Sequence, residues 1–276
     1  MKPEIRILRA LCVAGLVGYV AHVTVGLGRG TMDGFFDNWV YDSLILAAAA
    51  SCLVRGVTMR AERGRWLCFG FALLAFFAGE VYYTVHLSGL DEPPFPSLAD
   101  AFYLAFYPAA YAGLVLFSPR QSRRLRASLW LDGVVGSLAV AALSCAVLLD
   151  PIVNSTGGSK LAVATAVAYP VGDLLLLIFV VGLLALNGAE LSRSWTMIAG
   201  GLALMAVADA VFLFQSVNGT YQEGGLLDAL WPSAALLLGS AAWQPSRRET
   251  MRLDGWRRLA MPALLAWAGC VAFGFA

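Results

Sequence analysis

Trp66 to Gly89 reads WLCFGFALLAFFAGEVYYTVHLSG, an apolar run with a single acid, Glu80, deep inside it. A membrane-spanning helix takes about 20 predominantly apolar residues, and this run is long enough. The pattern recurs. Trp195 to Asn218 reads WTMIAGGLALMAVADAVFLFQSVN. Fourteen positions separate Trp66 from Glu80, and fourteen separate Trp195 from Asp209; His86 then falls opposite Gln215. The two stretches define a membrane repeat with one embedded carboxylate in each copy.

Composition agrees with a chain made for lipid. Of 276 residues, 59% are hydrophobic and only 13% charged, with a mean hydropathy of +0.73. Soluble domains are roughly half apolar and about a quarter charged. The expected fold is therefore an all-α polytopic transmembrane bundle whose constant partner is the bilayer. A net charge of +1 gives no reason to expect nucleic acid. The five cysteines, Cys12, Cys52, Cys68, Cys145 and Cys270, are scattered through apolar runs without a CxxC pair. Neither a disulfide framework nor a zinc site is indicated. The apolar run after Arg9 is too long for a signal peptide and lacks an Ala-x-Ala site, so it reads as a retained first helix.

Nine hydrophobic segments predict nine helices, at 7–27, 39–57, 66–88, 98–118, 128–149, 161–186, 194–217, 225–243 and 259–276. Cytoplasmic loops of membrane proteins collect Lys and Arg. With this count, 17 of the 19 basic residues fall on one side, and only Arg29 and Lys160 on the other. That alternation places the N-terminus in the cytoplasm. The outer loops, such as Asp91–Pro96 and Asn154–Ser159, are too short to hold a folded domain, so any site lies among the helices. Asp42 lies 24 residues before Trp66, and Asp173 lies 22 before Trp195. Asp100-Ala101-Phe102-Tyr103 echoes Asp228-Ala229-Leu230-Trp231. The reading is one membrane domain over 1–276. Repeat A covers 1–118, repeat B covers 128–243, a basic cytoplasmic loop covers 244–258, and a ninth helix covers 259–276. Four helices per unit is an even number, so the copies form a parallel 4+4 repeat.

Acids inside a bilayer are costly and normally face the bundle interior. Glu80 and Asp209 fall in the outer half of their helices, and Asp100 and Asp228 begin the next ones. Four carboxylates can thus line one outward-facing cavity, as a ligand, cation or proton site. Asp100 and Asp228 read equally as helix caps, and the others as packing hydrogen bonds. Asp100, Tyr103, Tyr107 and Tyr111 share one helix face, which suits either an aromatic or cationic ligand or plain packing. Tyr169-Pro170-Val171-Gly172-Asp173 predicts a kink or break, since proline removes a backbone donor. The candidate ligand residues are Glu80, Asp209, Asp100, Asp228, Asp173, Tyr83, Tyr103, Tyr107 and His86. Glu80 and His86, six apart, do not share a face. With two histidines and no HxxH or ExxH spacing, no metal is expected. No cofactor is expected, and no catalytic motif such as G-x-S-x-G or H-E-x-x-H occurs.

Three segments carry a resemblance: Pro96 to Pro108 (PSLADAFYLAFYP), Ala168 to Leu175 (AYPVGDLL) and Gly224 to Pro232 (GGLLDALWP). Their wording resembles the multi-pass N-terminal membrane region of actinobacterial GGDEF/EAL-type signalling proteins. The resemblance implies a sensory input module in a bacterial inner membrane, followed by cytoplasmic domains that make or degrade cyclic di-GMP and pair as a homodimer. Neither a GGDEF nor an EAL motif occurs in these 276 residues, so no enzymatic activity is expected of them. A chain ending outside after the ninth helix would need a tenth helix to reach such domains. A small-solute or ion transporter using the buried carboxylates is the alternative.

Overall fold

The computed structural model describes residues 3–90, 92–117, 159–186, 190–244 and 251–252. Seven α-helices occur among them: α1 (Pro3–Val25), α2 (Tyr41–Thr58), α3 (Arg63–His86), α4 (Leu98–Phe117), α5 (Lys160–Leu186), α6 (Arg193–Val217) and α7 (Leu230–Ala241). A π-helical segment, Gly34–Val40, runs straight into α2. Single 3-10 turns, Arg60–Glu62 and Leu226–Ala229, lead into α3 and α7. The described residues otherwise hold a two-residue antiparallel ladder, Glu190–Leu191 against Met251–Arg252.

Each helix falls on a predicted segment. The segment predicted at 39–57 begins earlier, because the π-helical residues continue the apolar run. The one at 225–243 divides into a 3-10 turn and a helix. The predicted segments 128–149 and 259–276 lie outside the described residues. Among the described residues, six helical stretches are long and apolar enough to cross a membrane: Ile5–Val25, Gly34–Thr58, Arg60–His86, Leu98–Phe117, Lys160–Leu183 and Arg193–Val217. Large apolar side chains such as Ile7, Leu11, Val17, Phe71 and Leu161 point outward, as suits lipid contact. Polar side chains, Asp42, Asp173 and Asp228 among them, are buried instead.

The helices close a ring. α2 packs on α3, α3 on α4, α4 on α5, α5 on α6, α6 on α7, and α7 back on α2. α1 lies outside this ring, against α2, the π-helical segment and the Leu226–Ala229 turn. Lipid tails are as apolar as leucine, so no hydrophobic gain holds such helices together; close packing and hydrogen bonds do. Small residues therefore mark the contacts. A Cβ on Gly239 would stand 2.7 Å from the Ala48 Cα, which lets α7 and α2 touch backbone to backbone.

One end of the ring is solid. The Phe117 ring meets Trp66 edge-on at 5.7 Å and stacks on Trp195 at 5.6 Å. The Arg65 guanidinium lies 4.3 Å from the same ring. Glu62 accepts from the Trp66 indole at 3.0 Å and from Arg55 at 3.0 Å, and it pairs with Arg65. Two of the arginines that the sequence gathers at this end, Arg55 and Arg65, are thus tied to the ends of α2, α3 and α4.

Of the kink or break expected at Pro170, a break does not occur: α5 is continuous from Lys160 to Leu186. Proline removes one backbone bond and leaves the rest of the ladder intact, and neighbouring helices supply polar partners at such places. Two residues further on, the Tyr111 hydroxyl donates to the Gly172 carbonyl at 2.6 Å and ties α4 to α5.

A candidate ligand cavity lined by acids and tyrosines

The other end of the ring is hollow. A cavity of about 610 Å³ lies between the helices, walled by the beginnings of α2, α4, α5 and α7 and the later halves of α3 and α6. These four helices therefore start at this end, and α3 and α6 run toward it. Eight of the nine predicted ligand residues line the cavity: Glu80, Tyr83, Asp100, Tyr103, Tyr107, Asp173, Asp209 and Asp228. His86 does not. It lies on an exposed face of α3, stacked on Tyr82 at 4.6 Å. Six residues of α-helix turn it about 120° away from Glu80.

In the wall, Asp173 is buried and Asp209 half-buried. The Tyr107 hydroxyl stands 3.0 Å from Asp173 Oδ1 and 3.3 Å from Asp209 Oδ2. The Trp231 indole N–H donates to Asp209 Oδ1 at 2.7 Å. The two carboxyls are also within hydrogen-bond reach of each other. One phenol proton cannot serve both acids, and two carboxylates this close repel when both are charged. Tyr107 can settle there because Gly172 leaves room: a Cβ on Gly172 would stand 2.7 Å from the Tyr107 ring.

Asp100 and Asp228 are caps, and each is more than a cap. Asp100 Oδ2 accepts from the Ser97 N–H at 2.7 Å and the Ser97 hydroxyl at 3.0 Å, closing the start of α4. Its Oδ1 accepts from the Tyr169 hydroxyl at 2.8 Å. Asp228 Oδ2 accepts from the Gly224 and Gly225 N–H groups at 2.7 and 3.1 Å. Its Oδ1 accepts from the Tyr221 hydroxyl at 2.9 Å. Both carboxylates satisfy helix-end donors and present a tyrosine to the cavity.

Glu80 is less occupied. Tyr103 comes within hydrogen-bond reach, and Asp42 lies close enough to act on Glu80 electrostatically. Gly79 accommodates the Tyr103 ring, where a Cβ would stand 2.5 Å away. At the rim, Asp37 of the π-helical segment and Glu223 join the wall. Burial, Asp228 and Asp37 raise the Glu223 carboxyl above its usual range. Among the described residues, no lysine, arginine or histidine lines the cavity. Among the described residues no group of three or more His, Cys, Asp or Glu is arranged to hold a metal ion.

Sequence reasoning did not select Tyr169, Tyr221, Trp231, Asp37 or Glu223 for the site. Two of them carried a signal. Trp231 follows Asp228 by three residues, as Tyr103 follows Asp100, and Tyr169 precedes Asp173 by one helical turn. Tyr221 and Glu223 sit in a connection without periodicity, and only the folded loop brings them to the wall. Protein-family models, curated proteins and solved structures give no match to this chain.

Proposed function

We propose that this chain is the membrane-embedded input module of a bacterial signalling protein, which binds a small solute in the cavity and passes occupancy on as a helix displacement. The observation that carries the reading is the cavity itself: about 610 Å³, acid- and aromatic-lined, at the opposite end of the ring from the Phe117, Trp66 and Trp195 cluster. A site at one end and a packed helix junction at the other is the arrangement a receptor needs. The likeness of three segments to GGDEF/EAL-type membrane regions supports the same reading, with a homodimer as the working form. The Lys and Arg bias supports a cytoplasmic N-terminus in the plasma membrane.

The parallel 4+4 repeat belongs to this proposal. Glu80 of α3 meets Tyr103 of α4, and Asp209 of α6 meets Trp231 of α7. The partners occupy matching positions in the two proposed copies. α4 and α5 both start at the cavity end. The nine-helix count puts one further segment, at 128–149, between them in the chain, outside the described residues.

The test uses the full chain in lipid nanodiscs. Spin labels at the inner ends of α2 and α4 report their separation while a panel of small solutes is added. A solute that stabilises the protein and shifts the labels supports the receptor. Transport is the second reading, favoured by the repeat with acids in both copies. Counterflow in proteoliposomes that disappears in the Glu80→Gln, Asp209→Asn double variant would establish it and overturn the receptor.

A further inference from the structure

We propose that His22, Asp33 and Asp37 form a proton-binding latch, which holds the rim of the cavity in place while the proton is bound and releases it when the proton leaves. As regulation of a ligand site this rests on the cavity's reading as one. His22 lies near the end of α1, outside the ring, and is only 2% exposed. Its imidazole stacks on Phe36 at 4.5 Å. Gly26 and Gly28, each with a φ of 74°, bend the chain so that the Leu27 carbonyl returns to the ring. Nδ1 stands 2.7 Å from that carbonyl oxygen. A carbonyl only accepts, so Nδ1 carries a hydrogen.

Nε2 then faces two acids. Asp33 Oδ1 is 3.5 Å away and Asp37 Oδ1 is 3.7 Å away. Without a further proton these three atoms are all acceptors. Asp33 Oδ1 accepts from the Gly30 N–H at 2.8 Å. Asp37 Oδ1 is shut off from solvent and has no hydrogen-bond partner among the described residues. Buried acceptors are nearly always satisfied. One proton, on Nε2 or between it and the carboxyls, turns three opposed acceptors into an attractive cluster.

The cluster reaches the cavity through Asp37, which lines it. A Cβ on Gly224 would stand 3.0 Å from Asp37 Oδ2, so this carboxyl lies against the backbone of the loop before α7. The Gly224 N–H donates in turn to Asp228 Oδ2 at 2.7 Å. Tyr221, Glu223, Gly224 and Asp228 of that segment line the cavity too. Loss of the proton leaves Asp37 facing a lone pair, with Asp33, Glu223 and Asp228 as acid neighbours. Arg29, on the turn after α1, also acts on Asp37, but it is exposed and screened by solvent. Tyr19, the titratable neighbour on α1 itself, carries no positive charge. Asp37 then gains by turning to water, which withdraws its support from the Gly224 loop. The direction is fixed: the rim is held at low pH and loosened as pH rises.

The test follows the ligand-free full chain in nanodiscs from about pH 8 down to about pH 5, the range in which histidine changes charge. Nitrogen-15 NMR of the two histidines reports the proton, with His86 as the exposed reference. Hydrogen-exchange protection factors over 221–228 report the rim. Nδ1 should stay protonated throughout, and protection should rise about tenfold or more as the His22 cluster takes up its proton. His22→Phe keeps a ring against Phe36 and has no proton to bind, so protection should stay at its high-pH level. If that variant does not fold, His22→Gln carries the test, because it too should lose the pH dependence. The same rise in either variant would assign the response to Glu223 and Asp228 and overturn the latch. Proton uptake at His22 without a change in protection, or no uptake across the range, would overturn it as well. Because no ligand is present, these outcomes leave the reading of the cavity as a ligand site untouched.

Discussion

Tyr107 is the residue on which the polar interior turns, since one phenol joins acids from two other helices. Tyr107→Phe keeps the ring in the space beside Gly172 and removes only the hydroxyl. Interhelical hydrogen bonds in membranes contribute about 0.6 kcal/mol on average and up to about 1.7. The expected loss is at the upper end, because two contacts go at once. A double-mutant cycle with Asp173→Asn should show coupling of the same size in detergent-unfolding free energies. Additivity would mean that the two side chains do not act as a unit. Glu223 allows a pH test outside the spans. Its folded value lies above the ordinary one, through burial and the nearby Asp228 and Asp37. A carboxyl raised in this way favours the folded state only while protonated. Stability is lost as pH rises from the unfolded value through the folded value. Glu223→Gln removes that loss, so the variant should unfold at a higher temperature than wild type at pH 7. Below about pH 4, the ordinary Glu value, the two midpoints should converge. Parallel midpoint-against-pH curves would show that Glu223 is not perturbed.

At the scale of the element, contact in lipid depends on how closely two backbones approach, and glycine sets that approach. A Cβ on Gly239 meets the Ala48 backbone at 2.7 Å, while a Cβ on Gly200 meets nothing within 4 Å. Gly239→Ala should push α7 off α2 and cost about 1–3 kcal/mol, as overpacking does. Gly200→Ala should be neutral within about 0.5 kcal/mol or slightly stabilising. Unfolding of the two variants side by side measures the difference; equal effects would mean that helix propensity, not packing, governs this interface. The junction at the solid end is electrostatic as well as aromatic. Glu62 is the common partner of Arg55, Arg65 and Trp66, so Glu62→Gln weakens three contacts together. Wider separation of spin labels on the inner ends of α2 and α3 is the expected readout.

At the scale of the whole molecule, the charge pattern and the cavity share one axis. Alkaline phosphatase fused after Gly89 should be active in cells, and the same enzyme fused after Thr58 inactive. The reverse would turn the molecule over and open the cavity to the cytoplasm. Much of this arrangement was legible before any tertiary contact was known. Trp66 to Gly89 and Trp195 to Asn218 read as spans because a bilayer core demands a fixed length of apolar residues. Glu80, Asp100, Asp173, Asp209 and Asp228 read as a site because acids in such runs face inward. The tyrosine face of α4 divided: Tyr103 and Tyr107 line the cavity, whereas Tyr111 bonds the Gly172 carbonyl and stays out of it. His86 was selected for its residue type although its spacing from Glu80 already set it on another face, and it lies exposed outside the cavity.

The sequence by itself determined the class of the protein, the spans among the described residues and the acids of its interior. Each follows from local properties: run length, helical spacing, and the cost of a charge in lipid. Tertiary structure alone decided which acids are satisfied. Tyr107 meets Asp173 across 66 residues and Asp209 across 102, and no spacing rule reaches that far. It also decided that Asp100 and Asp228 act as both caps and cavity wall, and that α5 passes Pro170 unbroken. Above all it left Asp42 Oδ1 without a donor among the described residues. Whether a buried oxygen has a partner depends on what the neighbouring helices bring to it, and that exists only once the ring has closed.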